Sequence, residues 1–411
     1  MKSDKKHNPM DDLPESDHRK INNKLGLFSI EDELGAGLPL FHPKGAVLFR
    51  IIENFVLDKL LKRGYQIVKT PHVYKAGVWE KSGHANKYKE NMFFTEVEGK
   101  KFGVKPMNCP GHLFIYRADS HSYKELPVRL AEIATVYRNE MSGNLNGLTR
   151  VRGFAQDDAH IFCREDQIEE EVKKMIDLTF EIYKDFDLKI DHIELSTMPA
   201  EHLGDEKVWK KAENALEKVL KDNKIKYTVN KGDGAFYGPK IDTHVKDVLG
   251  RSWQLGTIQL DFFMPEAFDL TYVGEDNSKK RVVMLHRAIL GAVERFMAIL
   301  IEHYKGDFPV WLAPVQARVI SMNDELIPYA QEIEKKLSEN FRIDSDYRSE
   351  RVQKKVKQAE IEKIPAILVI GNKEKEKGTL AVRWGGSKKV EFGIKLDKFI
   401  EILNSKIEKR I

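Results

Sequence analysis

Apolar and polar positions follow two different periods along this 411-residue chain, and the changes of period mark its helices and strands. Between residues 44 and 62, apolar side chains recur every three or four positions, which predicts one long helix that ends near Gly64. The same spacing predicts helices at 167–185, 207–221 and 289–304. Alternation and short apolar runs predict strands at 67–71, 101–105, 126–137, 150–163 and 281–286, and a hairpin at 240–262 turned near Gly250.

After residue 306, short strands and amphipathic helices alternate in a different arrangement. Strands are predicted at 316–321, 342–345, 366–370 and 379–384, and helices at 325–339, 352–362 and 396–409. This alternation is typical of a small α/β domain. We therefore expect a polar amino-terminal arm or short helix at 1–27, a larger domain at 28–306 and an α/β domain at 307–411.

The predicted strand at 150–163 carries polar residues where a buried strand would be apolar. In an extended chain every second side chain points the same way, so one face would carry Arg150, Arg152, Phe154, Gln156, Asp158 and His160. A half-solvated strand is the alternative, although Lys, Thr and Ser would be more usual there. Ionisable groups on one strand face favour a functional site. Turn-forming residues at 141–149 make this strand the second arm of an antiparallel pair with 126–137.

Composition places the chain among globular proteins and leaves its partners open. Hydrophobic residues make up 41% and charged residues 32%, and the formal charge of +4 permits an anionic partner without requiring one. No apolar run is as long as a membrane span, and the amino terminus lacks the apolar core of a signal peptide. We therefore expect a cytoplasmic protein without membrane contact. The two cysteines, Cys109 and Cys163, are too few for a disulfide framework.

Cys109, His160 and His286 are candidate metal ligands. One thiolate and two imidazoles suit zinc, and three protein ligands leave a fourth coordination position for water or substrate. A structural role is the commoner outcome for an isolated buried cysteine or histidine, and no Cys-x-x-Cys spacing decides between the two. Cys163 fits a core thiol at a strand end.

Arg138, Arg152 and Arg295 are candidates for binding an anion. Guanidinium groups bind carboxylate and phosphate bidentately, and they stabilise the charge that develops in phosphoryl or nucleotidyl transfer. Phe154 could stack on a base, with a guanidinium over its other face. A surface salt bridge is the alternative for each arginine, and it is the default for Arg295 on its helix.

These stretches together closely resemble the threonyl-tRNA synthetase family of the class II aminoacyl-tRNA synthetases. The matching segments span almost the whole chain and are 17–20, 79–84, 105–112, 138–163, 234–240, 272–276, 286–296 and 311–316. The resemblance implies an α+β fold, with a class II antiparallel sheet of six or seven strands flanked by helices and a smaller α/β anticodon-binding domain. It also implies a homodimer, formed through the helix at 44–62 and the strand that ends at Pro71.

The resemblance also implies roles for individual residues. One Zn²⁺ per subunit would be held by Cys109, His160 and His286 and would bind the amino and hydroxyl groups of threonine. Catalytic roles would fall to Arg138, Arg295, Lys240 and His84, with His84 helping to deprotonate the terminal ribose hydroxyl of tRNA. Threonine would contact Met107, Gln156, Asp158, Tyr237 and Gln254. ATP with Mg²⁺ would contact Arg138, Glu140, Arg150, Phe154, Gln259 and Arg295.

In the carboxy-terminal region, the resemblance places anticodon contacts at Arg348, Glu350, Glu374 and Arg383. Lys354, Lys355 and Lys357 could form a basic helix face for RNA phosphates, although a solvated helix side is an equal alternative.

The function implied is that of a threonine-tRNA ligase, which activates threonine with ATP and transfers it to tRNA(Thr). Most bacterial and eukaryotic members of the family carry an editing domain before the segment that begins at Asp17, whereas a short polar arm precedes it here. We therefore expect no cis editing of seryl-tRNA and a separate trans-editing deacylase as a partner, unless the sequence is truncated. The alternative is a non-catalytic paralogue that serves as a tRNA-binding or polymerase accessory protein. Such paralogues usually lose motif arginines or metal ligands, and both sets are present here.

Overall fold

The computed structural model describes residues 12–387 and 389–411, so the first eleven residues of the predicted arm lie outside the described residues. The described chain packs as two compact units. One contains Leu40–Ile52, Ala298–Ile411 and the described residues up to Ser29, and the other contains Ile30–Pro39 and Glu53–Met297. The expected domain boundaries at 27/28 and 306/307 stay predictions.

Short helices and strands follow one another closely along the chain. Up to residue 303 they are α1 His18–Leu25, β1 Phe28–Ile30, β2 Pro39–Phe41, α2 Pro43–Leu61, β3 Gln66–Ile67, β4 Val73–Lys75, α3 Ala76–Lys81, α4 His84–Lys87, β5 Phe94–Val97, β6 Lys100–Val104, α5 Cys109–Ala118, β7 Val128–Tyr137, β8 Gly153–Cys163, α6 Ile168–Asp185, β9 Ile190–Ser196, α7 Glu206–Asp222, β10 Thr228–Asn230, β11 Lys240–Lys246, β12 Ser252–Asp261, α8 Phe263–Ala267, β13 Thr271–Val273, β14 Lys279–Arg281, β15 Val283–Ala292 and α9 Val293–His303. Beyond them lie β16 Ala317–Ser321, α10 Ile327–Ser338, β17 Ile343–Asp346, α11 Val352–Ile361, β18 Ala366–Ile370, α12 Asn372–Lys377, β19 Thr379–Trp384, β20 Val390–Lys395 and α13 Leu396–Lys409.

The unit that contains Glu53–Met297 is built on an eight-stranded sheet in the order β10-β9-β11-β12-β15-β8-β7-β3. The strands from β9 to β7 pair antiparallel, whereas the edge strands β10 and β3 join parallel to their neighbours. The predicted antiparallel sheet with flanking helices is therefore confirmed, although it has one strand more than the expected maximum.

Amphipathic helices cover one face of this sheet. α6 and α7 pack against β12, and α6 also packs against β15. In α6 the buried side chains Val172, Met175, Ile176 and Thr179 recur every three or four positions, which forms one apolar stripe. Three glutamates in its first turn complement the positive end of the helix dipole.

The junction of β15 and α9 differs from the prediction. The sequence predicts a helix from residue 289, but β15 continues to Ala292 and α9 begins at Val293. The register of β15 against β8 shifts between Ala288 and Ala292, and Gly291 has a φ of +67° within this bulge. A Cβ at Gly291 would lie 3.1 Å from the carbonyl oxygen of Leu255, so glycine permits the close approach. The helix was predicted from the short apolar run at 288–292, and a run of this length fits a strand as well as a helix.

The carboxy-terminal residues form a five-stranded sheet in the order β17-β16-β18-β19-β20 with an apolar core. Strand β16 pairs parallel with both β17 and β18. Strand β19 pairs antiparallel with β18, and β20 pairs antiparallel with β19. The prediction missed two elements. Strand β20 is interrupted by Gly393 at φ +77°, and α12 has no apolar stripe because its sequence is Asn-Lys-Glu-Lys-Glu-Lys.

The amino-terminal segment contains α1, one of the two forms expected for the arm. The Asp17 side chain caps this helix by accepting from the Arg19 backbone N–H, and Ile21 and Leu25 are buried. Among the described residues, no helix combines the length and the apolar character that a membrane crossing would require.

Candidate active site

A cavity of about 330 Å³ is lined by four neighbouring strands, β11, β12, β15 and β8. Sheet pairing brings together residues that lie far apart in the sequence. The predicted site residues that line this cavity are Met107, Cys109, Arg138, Glu140, Arg150, Phe154, Gln156, Asp158, Tyr237, Lys240, Gln254, Gln259, His286 and Arg295. The residues that line it without having been predicted are Thr149, Val151, Leu255, Thr257, Arg287, Ala288, Gly291 and Ala292.

Two candidate metal ligands, Cys109 and His286, line this cavity, and the third, His160, is fully buried beside them. His160 and His286 are direct cross-strand partners on β8 and β15. Cys109 is the first residue of α5. One ligand atom from each of the three residues lies within 4.8 Å of the other two, and all three residues are buried.

The donor atoms of this triad fit a zinc ion. The Nε2 atom of His286 lies 2.9 Å from Asp261 Oδ2, and because a carboxylate accepts, the ring donates to it from Nε2. The lone pair on His286 Nδ1 then faces His160 Nε2 at 3.0 Å. Two nitrogens on one tetrahedral zinc are about 3.3 Å apart, given Zn–N bonds of about 2.0–2.1 Å. A thiolate and two imidazoles at this spacing are a typical zinc donor set.

Three arginines line the cavity near Phe154. The guanidinium carbon of Arg138 lies 5.0 Å from the centre of the Phe154 ring. Burial lowers the pKa of Arg295, and the positive charges of Arg138 and Arg150 lower it further. The Arg150 side chain donates to Glu140 Oε2 at 3.0 Å. This concentration of positive charge suits a polyphosphate or carboxylate ligand.

The expectation that Arg152 lies with Arg138 in the anion-binding cluster is wrong. Arg152 precedes β8, and its guanidinium donates to the carbonyls of Ala36 and Glu140 and to Ser142 Oγ, so it does not line the cavity beside Arg138. Arg295 lies 5.7 Å from the ring centre of Trp253, and its Nε donates to the Thr149 carbonyl. The strand begins only at Gly153, so strand alternation does not extend to Arg150 and Arg152.

Polar side chains surround the metal-binding end of the cavity. Asn108 donates to Asp158 Oδ2 at 3.1 Å, and burial raises the pKa of Asp158. The Tyr237 ring stacks on His286 with centroids 4.8 Å apart, and its hydroxyl donates to Gln259 Oε1 at 2.7 Å. Within the described part of the chain, the buried Gln156 Oε1 has no hydrogen-bond partner, so it is available to a ligand donor.

Lys240 is held by two carboxylates at the edge of the cavity. Its ammonium contacts Asp233 Oδ2 at 2.8 Å and also Asp242. Burial alone would lower the pKa of Lys240, but the carboxylates of Asp242 and Asp233 hold it above the ordinary lysine value. Gln254 donates to the other oxygen of Asp242 at 2.6 Å, which orients this carboxylate. Lys240 therefore presents a fixed positive charge.

His84 is fully buried and does not line the cavity. Its Nδ1 lies 2.8 Å from Ser82 Oγ, and its Nε2 lies 3.3 Å from the sulfur of Met107, which does line the cavity. Burial, together with the charges of His286 and Arg138, lowers the pKa of His84 to about 3. The ring is therefore neutral at physiological pH.

A buried ion pair that includes the cavity-lining residue Arg287 was not predicted from the sequence. Arg287 Nη1 donates to Asp157 Oδ2 at 3.0 Å, and Asp157 also accepts from the backbone N–H groups of Ile289 and Leu290. Burial raises the pKa of Asp157 to about 6 despite the adjacent guanidinium charge. The guanidinium carbon of Arg287 lies 5.3 Å from the Tyr65 ring centre. This pair fixes β15 against β8 at the bulge.

We expect Asp157→Ala to lower the free energy of unfolding by about 3–5 kcal/mol, because it leaves a buried guanidinium uncompensated. The matched control is Asp166→Ala, since Asp166 pairs with Arg164 at an exposed site and an exposed pair contributes about 0–1 kcal/mol. Denaturant unfolding of both variants measures the difference. Equal losses in the two variants would show that the buried pair has no special role.

The four predicted anticodon contacts do not share one cavity. Arg383 pairs with Glu360 and lines a cavity of about 250 Å³. The described residues Arg348, Glu350 and Glu374 do not line this cavity. Arg348 pairs with Asp346, Glu350 with Lys354, and the Glu374 carboxylate accepts from the Gly371 N–H at the start of α12. Lys355 is buried and donates to the Ser321 carbonyl, so it does not belong to an exposed basic face.

Comparison with known proteins agrees with this fold and cavity. Residues 93–304 match the tRNA synthetase class II core domain (G, H, P, S and T), and residues 316–406 match an anticodon binding domain. The fold and the site thus define a class II aminoacyl-tRNA synthetase core followed by an anticodon-binding domain.

Individual relatives point to one family within this class. The chain is 48% identical over 405 residues to a threonine–tRNA ligase of Sulfurihydrogenibium sp. (strain YO3AOP1), which covers 97% of this chain and 63% of that ligase. A solved RNA binding domain of threonyl-tRNA synthetase from Cryptosporidium parvum Iowa II superposes with a TM-score of 0.92 at 42% identity, covering 95% of this chain and 98% of that one. A putative threonyl-tRNA synthetase, ThrRS-1 of Aeropyrum pernix, superposes with a TM-score of 0.80 at 29% identity over 96% of both chains.

Within the class II synthetases, the chain belongs to the threonyl-tRNA synthetase family. It spans 63% of the length of the ligase from Sulfurihydrogenibium.

Proposed function

We propose that the protein is a threonine-tRNA ligase, which forms threonyl-adenylate from threonine and ATP and then transfers threonine to tRNA(Thr). The observation that carries this proposal is one cavity lined by Cys109 and His286, with the buried His160 beside them, and also by the arginine cluster. The triad suits an amino acid with a side-chain hydroxyl, and the arginines suit the phosphates of ATP.

Cys109, His160 and His286 would hold one zinc ion at the amino-acid end. When bound, zinc would supply positive charge and coordination positions for the amino and hydroxyl groups of threonine. Asp158 would accept from the threonine hydroxyl, because its carboxylate is held beside the triad by Asn108.

Arg138 would bind the threonine carboxylate and the α-phosphate of ATP, since it lines the same cavity as Cys109 and His286 and lies beside Phe154. Its charge compensates the negative charge that builds up when the carboxylate attacks the α-phosphorus, and a preorganised donor needs no rearrangement at that moment. Phe154 and Arg295 would hold adenine, with Glu140 and Arg150 at its rim, and Mg²⁺ would accompany ATP near Gln259.

The transfer step and the partners are also proposals. His84 would assist deprotonation of the terminal ribose hydroxyl of tRNA. The Met107 sulfur lies 3.3 Å from His84 Nε2, so this hydroxyl would have to pass the Met107 side chain to reach His84. Arg348, Glu350, Glu374 and Arg383 would contact the anticodon, two subunits would form a homodimer, and the enzyme would act in the cytoplasm.

Threonine-dependent exchange of pyrophosphate into ATP tests the proposed function. We expect exchange with threonine, weaker exchange with serine and none with proline, histidine or glycine. A non-catalytic accessory protein would give no exchange with any amino acid. Charging of a tRNA(Thr) transcript then tests the transfer step separately.

Serine and valine probe the amino-acid end of the cavity in different ways. Serine keeps the hydroxyl and lacks only a methyl group, so we expect its kcat/KM for exchange to be about 10- to 200-fold below that of threonine. Valine lacks the hydroxyl and would leave polar groups of the site unpaired, so we expect a loss of about 10⁴- to 10⁵-fold. Comparable kcat/KM values for serine and valine would contradict recognition through the hydroxyl.

This modest discrimination has a consequence for fidelity. The protein would release seryl-tRNA at a measurable rate, and a deacylase activity would be needed to remove it.

A further inference from the structure

A row of buried polar side chains leads away from the cavity behind His160. Its Nδ1 atom lies 2.7 Å from Nδ1 of His112, and Nε2 of His112 lies 3.1 Å from Oε1 of Glu132. The exposed fractions of His160, His112 and Glu132 are 0%, 0% and 3%. None of the contacts in this row reaches solvent, so each hydrogen bond has to be made within the protein.

The far end of this row is firmly held. Thr70 donates to both oxygens of Glu132, from its hydroxyl at 2.6 Å and from its backbone N–H at 3.1 Å. Lys105, which is fully buried, donates to the Thr70 hydroxyl at 3.0 Å, and its ammonium lies 3.9 Å from the Glu132 carboxylate. Lys105 thus provides a buried positive charge beside the Glu132 carboxylate.

Hydrogen-bond roles then follow along the row. The Glu132 carboxylate accepts, and the tautomer of His112 that donates to it from Nε2 has an acceptor at Nδ1. His160 must therefore carry its proton on Nδ1, where it donates to His112. The Nε2 atom of His160 is left with a lone pair that faces His286 Nδ1 at 3.0 Å, and Cys109 lies beside both.

The two histidines of the triad are thus supported in different ways. Asp261 contacts His286 directly, and its other oxygen accepts from the backbone N–H groups of Phe263 and Met264 at the start of α8. His160 is instead linked to the Glu132 carboxylate through the imidazole of His112. Carboxylates that accept from ligand histidines fix the ring orientation and raise the basicity of the ligand nitrogen.

We propose that His112 and Glu132 are positioning residues for the metal site, which hold His160 in the tautomer and ring orientation that a cation requires. This inference rests on the proposed zinc-binding role of the triad and extends it to residues that do not touch the ion. Neither residue lines the cavity, so neither contacts threonine or ATP directly.

The test compares zinc affinity, measured by competition with a chromophoric chelator, in the wild type and in His112→Leu. We expect the variant to bind zinc about 10- to 100-fold more weakly, the usual loss when an outer partner of a ligand is removed. The cobalt-substituted variant should also show altered d–d and thiolate charge-transfer bands, because the His160 ring is no longer held. A purely structural role for His112 would leave those bands unchanged.

Two further variants distinguish a specific loss of zinc affinity from a general loss of folding. His112→Asn keeps an acceptor for the His160 proton, so its affinity should lie between those of the wild type and His112→Leu. The matched control is His18→Leu, since His18 is also a buried histidine that contacts a buried glutamate, Glu302, at 2.8 Å. His18→Leu should lower the melting temperature and leave zinc affinity unchanged.

The outcomes separate this inference from the proposed function. Wild-type zinc affinity and wild-type cobalt bands in His112→Leu would overturn the positioning role while leaving the zinc site intact. A wild-type protein that activates threonine without binding zinc would overturn the ligand assignment itself, and the positioning role with it.

Discussion

Replacing Arg138 with alanine should lower kcat/KM for threonine-dependent ATP–pyrophosphate exchange about 10²- to 10³-fold, the usual effect of removing one preorganised donor to a developing charge. Arg138 lines the same cavity as Cys109 and His286, and its guanidinium carbon lies 5.0 Å from the centre of the Phe154 ring. Because its interaction strengthens as the charge develops, the loss should fall mainly on kcat rather than on the KM for threonine.

The control for this variant is Arg164→Ala. Arg164 follows β8 and pairs with Asp166 outside the cavity, so its removal should leave exchange unchanged within about twofold, because such exposed pairs contribute little. Equal kinetics of the Arg138 and Arg164 variants would remove Arg138 from the proposed chemistry.

Replacing Cys109 with serine should abolish zinc binding and threonine activation together. Cys109 supplies the sulfur ligand of the proposed site, and the loss of a direct ligand should exceed the factor of about 10–100 expected for an outer partner. Zinc content by mass spectrometry and threonine-dependent exchange measure the two effects on one preparation.

Cys163→Ala serves as the matched control, because Cys163 is the other buried cysteine of the chain and lies outside the triad. It should retain one zinc ion per subunit and normal exchange, with some loss of stability from the smaller side chain. Full exchange by a zinc-free Cys109→Ser protein would refute the ligand assignment.

Local sequence signals predicted much of the fold. The strand pair β7 and β8 follows from turn-forming residues between two extended runs, and α6 and α13 follow from a regular apolar stripe. The errors occur where the local signal is ambiguous. A five-residue apolar run at the end of β15 suits either a strand or a helix, and a bulge at Gly291 decides between them.

The candidate site shows a second limit of the sequence. Residue types alone suggested Cys109, His160 and His286, but their proximity depends on the pairing of β8 with β15, which joins residues 126 positions apart. Asp261, Glu132 and Arg287 were missed for the same reason. Their partners are set by strand register, and no local spacing carries that information.

Some site residues could have been found. His112 lies three residues after Cys109 in a segment that the resemblance had already marked, so one turn of helix places it on a similar side of α5. Asp261 follows Gln259 by two positions on β12, so alternation places both side chains on one face.

The central claim is that one cavity joins a zinc-dependent threonine site to an ATP site. Threonine-dependent ATP–pyrophosphate exchange, measured before metal removal, after removal by a chelator and after return of Zn²⁺, tests it most directly. The account predicts exchange, then its loss, then its recovery at one zinc ion per subunit. Exchange that persists in the metal-free protein, or no exchange with threonine in the zinc-loaded protein, would contradict it.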